Sequence, residues 1–171
     1  MKGRVARLLA LACLAGLPAC EDRKPRQEPG FTDRVVEKSN PSQSWIRRND
    51  DLDPAQWLAS KEAGHPLPAE DPAVLRIRKA FEAAAPKFLE SDRMVANRTA
   101  QLLEMLGKDG SPESAAALIE ALSSVVNPDR PKETYGELCQ YYYILRHSGA
   151  DGDTAAAQLR ARYGNPPASA R

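Results

Sequence analysis

Apolar side chains recur every three or four residues over most of the chain after Asp53. This spacing places them on one face of a helix, whereas the strict alternation typical of half-buried strands is absent from the sequence. The three clearest stripes are Val74, Ile77, Phe81, Ala84, Ala85 and Phe88; Ala115, Leu118, Ile119, Leu122, Val125 and Val126; and Tyr135, Leu138, Cys139, Tyr142 and Leu145. The pattern therefore predicts an all-α fold.

Residues typical of helix ends mark the limits of six predicted helices. A side chain that can cap a helix stands before a proline at three points, where the missing proline N–H costs nothing. These points are Asp53-Pro54, Asp71-Pro72 and Ser111-Pro112. Glycines that can end a helix in a left-handed conformation are Gly64, Gly107, Gly149 and Gly164. The predicted helices span 54–63, 72–90, 92–106, 112–126, 131–147 and 153–163. Pro86 predicts a kink or a break near residues 83–85.

Before these helices, residues 20–50 show no sustained periodicity and hold several prolines, serines and charges. Such a segment buries too little apolar surface to fold alone, so it is predicted to be a flexible tether. The folded domain is then 51–164, and residues 165–171 form a disordered tail. Trp45 and Ile46 leave open the alternative that part of the tether docks on the domain or on a partner.

An internal repeat is visible when Gly107 is aligned with Gly149, because Leu102-Leu103 then coincides with Ile144-Leu145 and Asp109-Gly110 with Asp151-Gly152. A period of about 40–47 residues with two helices per unit is typical of HEAT-type arrays. The stretch from Val95 to Leu122 resembles one HEAT-like unit, although Ala96 stands where arginine is common in these units. The resemblance implies a short stack of antiparallel helical hairpins. A plain helical bundle has the same stripes, so both architectures stay open.

The first residues have the layout of a secretory signal. A basic start is followed by the apolar run Leu8–Leu17. As a helix this run spans about 15 Å, roughly half of a bilayer core, which is too short for a permanent transmembrane helix. The segment then ends in Leu17-Pro18-Ala19-Cys20, which resembles the bacterial lipobox, with Pro18 as a departure from its usual pattern.

By this resemblance, residues 1–19 are a lipoprotein signal peptide, and Cys20 becomes the lipidated first residue of the mature protein. Two or more acyl chains would anchor the protein stably in a membrane. The resemblance implies a lipoprotein of the bacterial cell envelope that faces the periplasm. Glu21, which follows the lipidated position, leaves the choice between inner and outer membrane open.

The chain has three cysteines, and two of them lie in or beside the signal. Cys139 is then alone in the mature chain and has no partner for an internal disulfide. It lies among apolar residues at helical spacing, which predicts a buried, unreactive thiol, with pairing between chains or a nucleophilic role as the alternatives.

Composition excludes binding driven by excess positive charge. The 171 residues have a formal net charge of +1, with 42% hydrophobic and 27% charged residues, which is typical of a soluble globular protein. Removal of residues 1–19 removes three basic residues and makes the net charge negative. This charge balance predicts no nucleic-acid partner.

Motifs that carry catalysis are absent from the sequence. There is no phosphate-binding loop, nucleophile elbow or zinc-protease motif, and neither His65 nor His147 has further ligands at metal-binding spacing. Asp51, Asp53 and Glu62 match part of a calcium loop, but a glutamine stands at the position of its obligatory glycine. We therefore predict no catalytic residue, no metal site, no cofactor and no enzymatic activity.

Aromatic residues are the candidates for partner binding. Successive helical residues point about 100° apart, so Tyr141 and Tyr143 flank the core-facing Tyr142. Tyrosine is enriched at protein interfaces, which makes this pair the first candidate, with packing beside the core as the alternative. Trp45 and Trp57 are further candidates, although Trp57 could instead cap the helical stack.

Together these observations predict a non-enzymatic lipoprotein that binds a protein partner. It would be a scaffold or an accessory subunit of an envelope complex or of a periplasmic enzyme system, since stacked helical hairpins most often bind proteins. The alternatives are an inhibitory or immunity-type lipoprotein, and a small-molecule or peptide-binding lipoprotein. The last would need a cavity above about 300 Å³ between helices. A thiol enzyme would need Cys139 within about 4 Å of His147.

Overall fold

The computed structural model describes residues 39–164, and this part of the chain contains six helices and no strand. The helices are α1 (Pro54–Ala63), α2 (Pro72–Ala84), α3 (Asp92–Lys108), α4 (Ala115–Ser124), α5 (Tyr135–His147) and α6 (Gly152–Tyr163). The predicted all-α fold is confirmed. The predicted signal peptide, Cys20 and the tail 165–171 lie outside the described residues. Within the described range, every helix is too short or too polar to cross a bilayer.

Helices that are two apart in sequence pack side by side. The most extensive of these contacts join α2 to α4 and α3 to α5, and α1 lies against both α2 and α3. Consecutive helices α5 and α6 also pack together. Their apolar stripes meet in one core whose largest fully buried side chains include Trp57, Phe88 and Tyr135.

The local signals at the first two helices are confirmed. The carboxylate of Asp53 accepts a hydrogen bond from Gln56 N at 2.8 Å, and that of Asp71 accepts one from Ala73 N at 2.8 Å. Gly64, with φ 75°, ends α1 in the left-handed conformation. Helix α2 ends at Ala84, inside the segment where Pro86 predicts a break.

The predicted start of α4 at Ser111-Pro112 is wrong. Its N-cap is Ser114, whose hydroxyl accepts a hydrogen bond from Ala117 N at 3.4 Å. The reason is the end of α3, where Gly110 adopts φ 73° and Ser111 N donates to Leu106 O at 2.9 Å. This closing turn holds the chain in a loop through the residue before the cap.

Two of the four glycines predicted to end helices do not do so in the left-handed conformation. Gly107 is helical, and Gly164 has φ −84°. Gly149, in contrast, does end its helix in the left-handed conformation, with φ 95°, and Ala150 N donates to Leu145 O at 3.1 Å. The same turn therefore closes α3 and α5, with Gly110 as the counterpart of Gly149. The repeated turn is present, but in another register than the sequence alignment gave.

Helix α5 begins later than predicted, because the residues before Tyr135 pair with another loop. Leu89 N donates to Glu133 O at 3.1 Å, and Glu133 N donates to Lys87 O at 2.9 Å. This isolated bridge ties the loop before α5 to the loop between α2 and α3. The backbone groups there are satisfied without helix formation.

Residues 39–50, here called the strap, belong to the folded domain. Ile46 is 1% exposed and lies in the core. Its N–H donates to Asn97 Oδ1 at 2.8 Å, and its carbonyl accepts from Asn97 Nδ2 at 2.9 Å and from Arg93 Nη1 at 3.1 Å. Of the two alternatives for this segment, a flexible tether or docking on the domain, the structure thus shows docking. A domain boundary at residue 51 is too late, because one long-range side chain satisfies both polar groups of Ile46.

Candidate functional site

Helix α5 holds its three consecutive tyrosines in three different environments. Tyr142 is buried, and its hydroxyl donates to both carboxylate oxygens of Glu113, at 2.8 and 3.0 Å. Burial and the neighbouring Glu113 raise the pKa of Tyr142 well above its usual range. Tyr141 and Tyr143 lie half-buried on either side, as the helical geometry predicts. Tyr142 is therefore a packing residue, and its two neighbours are available at the surface.

Tyr143 is held in place by polar neighbours at the end of α5. Its ring stacks on that of His147, with centroids 5.4 Å apart. His147 Nδ1 lies 2.8 Å from Asp109 Oδ2. The hydrogen bond from His147 lowers the pKa of Asp109, and the neighbouring Tyr143 hydroxyl acts in the same direction. These contacts join the C-terminal ends of α3 and α5 and orient the Tyr143 ring.

Tyr141 lies on the other side of α5, towards α6. The guanidinium of Arg162 lies 5.4 Å from the centre of its ring, within the range of a cation–π contact. A shallow depression of about 190 Å³ separates the two helices here and is lined in part by Gln140, Tyr141, Ile144 and Arg162. Tyr141 is thus fixed on one wall of a surface depression.

A larger groove of about 410 Å³ runs between α3 and α5. The α3–α5 groove is lined from α3 by Arg98, Gln101, Leu102 and Met105, and from α5 by Gly136, Cys139, Gln140, Tyr143 and Ile144. Other depressions of similar volume are more polar; one of them is lined by Asn40, Gln43, Arg47 and other residues of the strap. The α3–α5 groove exceeds the size that a peptide- or small-molecule-binding site needs.

Gln140 and Ile144 line both depressions and so form the ridge between them. Ile144 is 48% exposed, which is unusual for a large aliphatic side chain of this domain. Tyr141 and Tyr143 stand on opposite sides of the ridge. We call the surface formed by Gln140, Tyr141, Tyr143 and Ile144 the α5 face. The structure therefore brings both tyrosine candidates onto one partly apolar surface.

Trp45 lies next to the groove, whereas Trp57 is not at the surface. The half-buried Trp45 ring has the guanidinium of Arg98 5.6 Å from its centre, and Arg98 lines the groove. Trp57 is 0% exposed, and its Nε1 donates to Gln43 O at 3.2 Å. The prediction that Trp57 contacts a partner is therefore wrong. Helices α2 and α3 lie against α1, the strap accepts the Trp57 hydrogen bond, and Trp57 belongs to the core instead.

The sequence reasoning missed the α3 wall of the groove. Arg98, Gln101 and Met105 follow the three- and four-residue spacing of a single helix face, next to the core stripe. The matching spacing on α5 joins Gly136, Gln140 and Tyr143. The signal was thus present on both helices, but nothing local shows that these two faces adjoin.

Cys139 lies at the floor of the groove and is buried. Burial raises the pKa of its thiol to about 12, so the thiol stays protonated at neutral pH and is a poor nucleophile. Among residues 39–164, histidine, cysteine, aspartate and glutamate side chains form no group that could hold a metal ion.

Comparison with known proteins adds a family to this geometry. The sequence model of a family described as MoxZ matches residues 55–164, which include the groove and the α5 face. Protein MoxZ of Paracoccus denitrificans is 32% identical over 157 residues, and the alignment covers 89% of this chain and 90% of that protein. No solved structure matches the chain.

Proposed function

The chain belongs to the MoxZ family, and from this premise we propose that it is a non-enzymatic accessory protein of a methanol oxidation system that acts by binding a protein partner. The α5 face is the observation that carries the proposal. It combines two oriented, half-buried tyrosines with Ile144, which is 48% exposed. Aromatic side chains with little freedom to lose are favourable anchors at protein interfaces.

Co-purification tests this role. The tagged full chain is recovered from detergent-solubilised envelopes of methanol-grown cells, as wild type and as Y141A/Y143A. We expect the wild type to bring down one or more proteins of methanol oxidation, and the double variant to recover at least tenfold less of them. L75A is the matched control, because Leu75 lies on α2 and is 49% exposed.

Recovery of the same proteins at wild-type level by Y141A/Y143A would contradict the α5 face as the binding surface. Deletion of the gene without any effect on growth with methanol would contradict the accessory role. A thermal melt of each variant shows that the domain is folded, so a loss of binding is separated from a loss of structure.

The proposal includes a lipid anchor on Cys20, supported by the lipobox-like sequence Leu17–Cys20. The chain between Cys20 and Ser39 reaches at most about 65 Å, so the domain would work within that distance of the envelope membrane. Mass spectrometry of the purified protein should find acyl chains on Cys20. C20S should release the protein from membranes, and globomycin should block its processing. An unmodified Cys20 in the mature protein would refute the anchor.

A further inference from the structure

The α3–α5 groove has an uneven distribution of charge. Its lining contains one cation, Arg98, and two amide side chains, Gln101 and Gln140, but no carboxylate. Leu102, Met105 and Ile144 give it an apolar surface. A ligand that complements this groove would carry one negative charge beside an aliphatic group.

Arg98 has unused hydrogen-bonding capacity. One of its nitrogens, Nη1, donates to Gln101 Oε1 at 3.2 Å, and the guanidinium faces the Trp45 ring. In the described part of the chain no carboxylate lies within ion-pair distance of Arg98. Nearby Glu90 already accepts hydrogen bonds from Tyr135 N and Gly136 N. A half-buried guanidinium with no carboxylate in direct ion-pair contact favours one in a ligand, because a carboxylate can accept two of its N–H groups at once.

The length of the groove fits a short extended segment. Arg98 and Met105 are seven residues apart on α3, a rise of about 10 Å along the helix. Three residues of an extended peptide span the same distance, and side chains two positions apart point to the same side, about 7 Å from each other. An acidic side chain on Arg98 would place the next side chain of the same face about 7 Å along the groove, just beyond Leu102, from where a long aliphatic side chain reaches Met105 and Ile144.

We propose that the α3–α5 groove binds an extended segment of the protein partner, with an aspartate or glutamate on Arg98 and an aliphatic side chain two positions away against Met105 and Ile144. This inference rests on the proposed accessory function and names the chemistry of the partner segment.

An array of acetylated, amidated hexapeptides tests the proposal with the full chain purified in detergent. One position holds Asp, Asn or Lys, the position two residues later holds Leu or Ser, and the others are randomised. We expect the Asp…Leu set to bind at least tenfold more tightly than the Lys…Leu and Asp…Ser sets. The blocked termini ensure that any preference comes from the side-chain carboxylate.

Variants of the groove give a second, independent measurement. R98E should reverse the preference from Asp to Lys, and R98M, which keeps contact with Trp45, should abolish the preference without reversing it. I144D should weaken Asp…Leu binding at least tenfold. L75D and R76E are matched controls at exposed positions on α2 and should leave binding unchanged. Methyl-labelled methionine adds a spectroscopic signature, since the signal of Met105 should move on binding while that of Met94 stays.

Equal binding of the Asp and Lys sets would overturn the proposal, as would a preference that R98E does not reverse. Stronger binding of a peptide with the sequence of residues 31–37 would also overturn it, because the occupant would then be this chain's own segment. Displacement of peptide by a second, unlabelled copy of the protein would assign the groove to self-association. If the peptide array shows no preference but Y141A/Y143A still loses the co-purified proteins, this inference alone is refuted and the accessory function is retained.

Discussion

The carboxylate of Glu90 caps helix α5 from a distant part of the chain. It accepts hydrogen bonds from Tyr135 N at 2.9 Å and from Gly136 N at 3.0 Å, across 45 and 46 residues of sequence. Thr134, the residue at the N-cap position, makes no side-chain hydrogen bond there. The loop before α3 therefore fixes the start of α5, and with it the end of the α3–α5 groove at Gly136.

Replacement of Glu90 by alanine should destabilise the protein by about 1–2 kcal/mol, because two N–H groups at the helix start lose their acceptor and the helix dipole loses a favourable charge. Urea unfolding measures the free energy. E82A, at an exposed glutamate of α2, is the control and should change it by less than about 0.5 kcal/mol. Equal effects of the two substitutions would show that the cap contributes nothing.

The Asn97 side chain should be required for docking of the strap. N97A leaves the N–H of Ile46 without its acceptor and removes a donor from its carbonyl, so we expect a loss of about 2–4 kcal/mol in the free energy of unfolding. Hydrogen exchange should show the Ile46 amide losing protection before the amides of α3. N49A, at an exposed asparagine of the strap, should have neither effect. Full protection of the Ile46 amide in N97A would contradict this account.

Gly107 and Gly149 carry the same signal in the sequence, but their substitution by alanine should change the stability of the protein in opposite directions. Gly107 is helical, and nothing lies within 4 Å of an added Cβ, so G107A should stabilise the protein by about 0.5–1 kcal/mol. Gly149 has φ 95°, so G149A should destabilise it by about 1–2 kcal/mol. Thermal melts of both variants decide the register of the repeated turn. Destabilisation by G107A would support the alignment of Gly107 with Gly149 instead.

Alkaline pH should destabilise the protein through Cys139. Its thiol has a pKa of about 12 when folded, whereas an exposed thiol ionises near about pH 8.5. The unfolded chain therefore releases a proton first, and stability falls as pH rises from about 8.5 towards 12. Between pH 8 and pH 10 the wild type should lose about 2 kcal/mol more than C139A, measured by urea unfolding. Parallel pH profiles of the two proteins would contradict a protonated, buried thiol.

The parts of the fold that could be predicted from sequence are those determined by residues close to one another in the chain. Asp53 and Asp71 cap helices that begin directly after them, so their signals are complete within four residues. Ser111 has the same local signal but is already engaged by Leu106 O in the turn that closes α3. Two local rules compete at that point, and the composition of the segment does not say which one prevails.

The site was predictable from one helix only. Tyr141 and Tyr143 could be placed beside a buried Tyr142, because helical geometry alone determines their directions. The groove needs α3 as its second wall, and the adjacency of Arg98 and Tyr143 depends on tertiary packing. Trp57 shows the converse, since a short helix gives no sign of the elements that later cover it.

The buried position of Ile46 bears on how the protein can be shortened for biochemical work. A truncation that starts at Asp51, where periodicity begins, would remove an isoleucine from the interior and leave Asn97 facing an empty hydrophobic recess. Such a fragment would expose apolar surface and tend to aggregate, and that failure would easily be mistaken for dependence on a missing binding partner. A shortened protein that begins at Ser39 retains the strap and its hydrogen bonds to Asn97, and it is the better starting point for crystallisation.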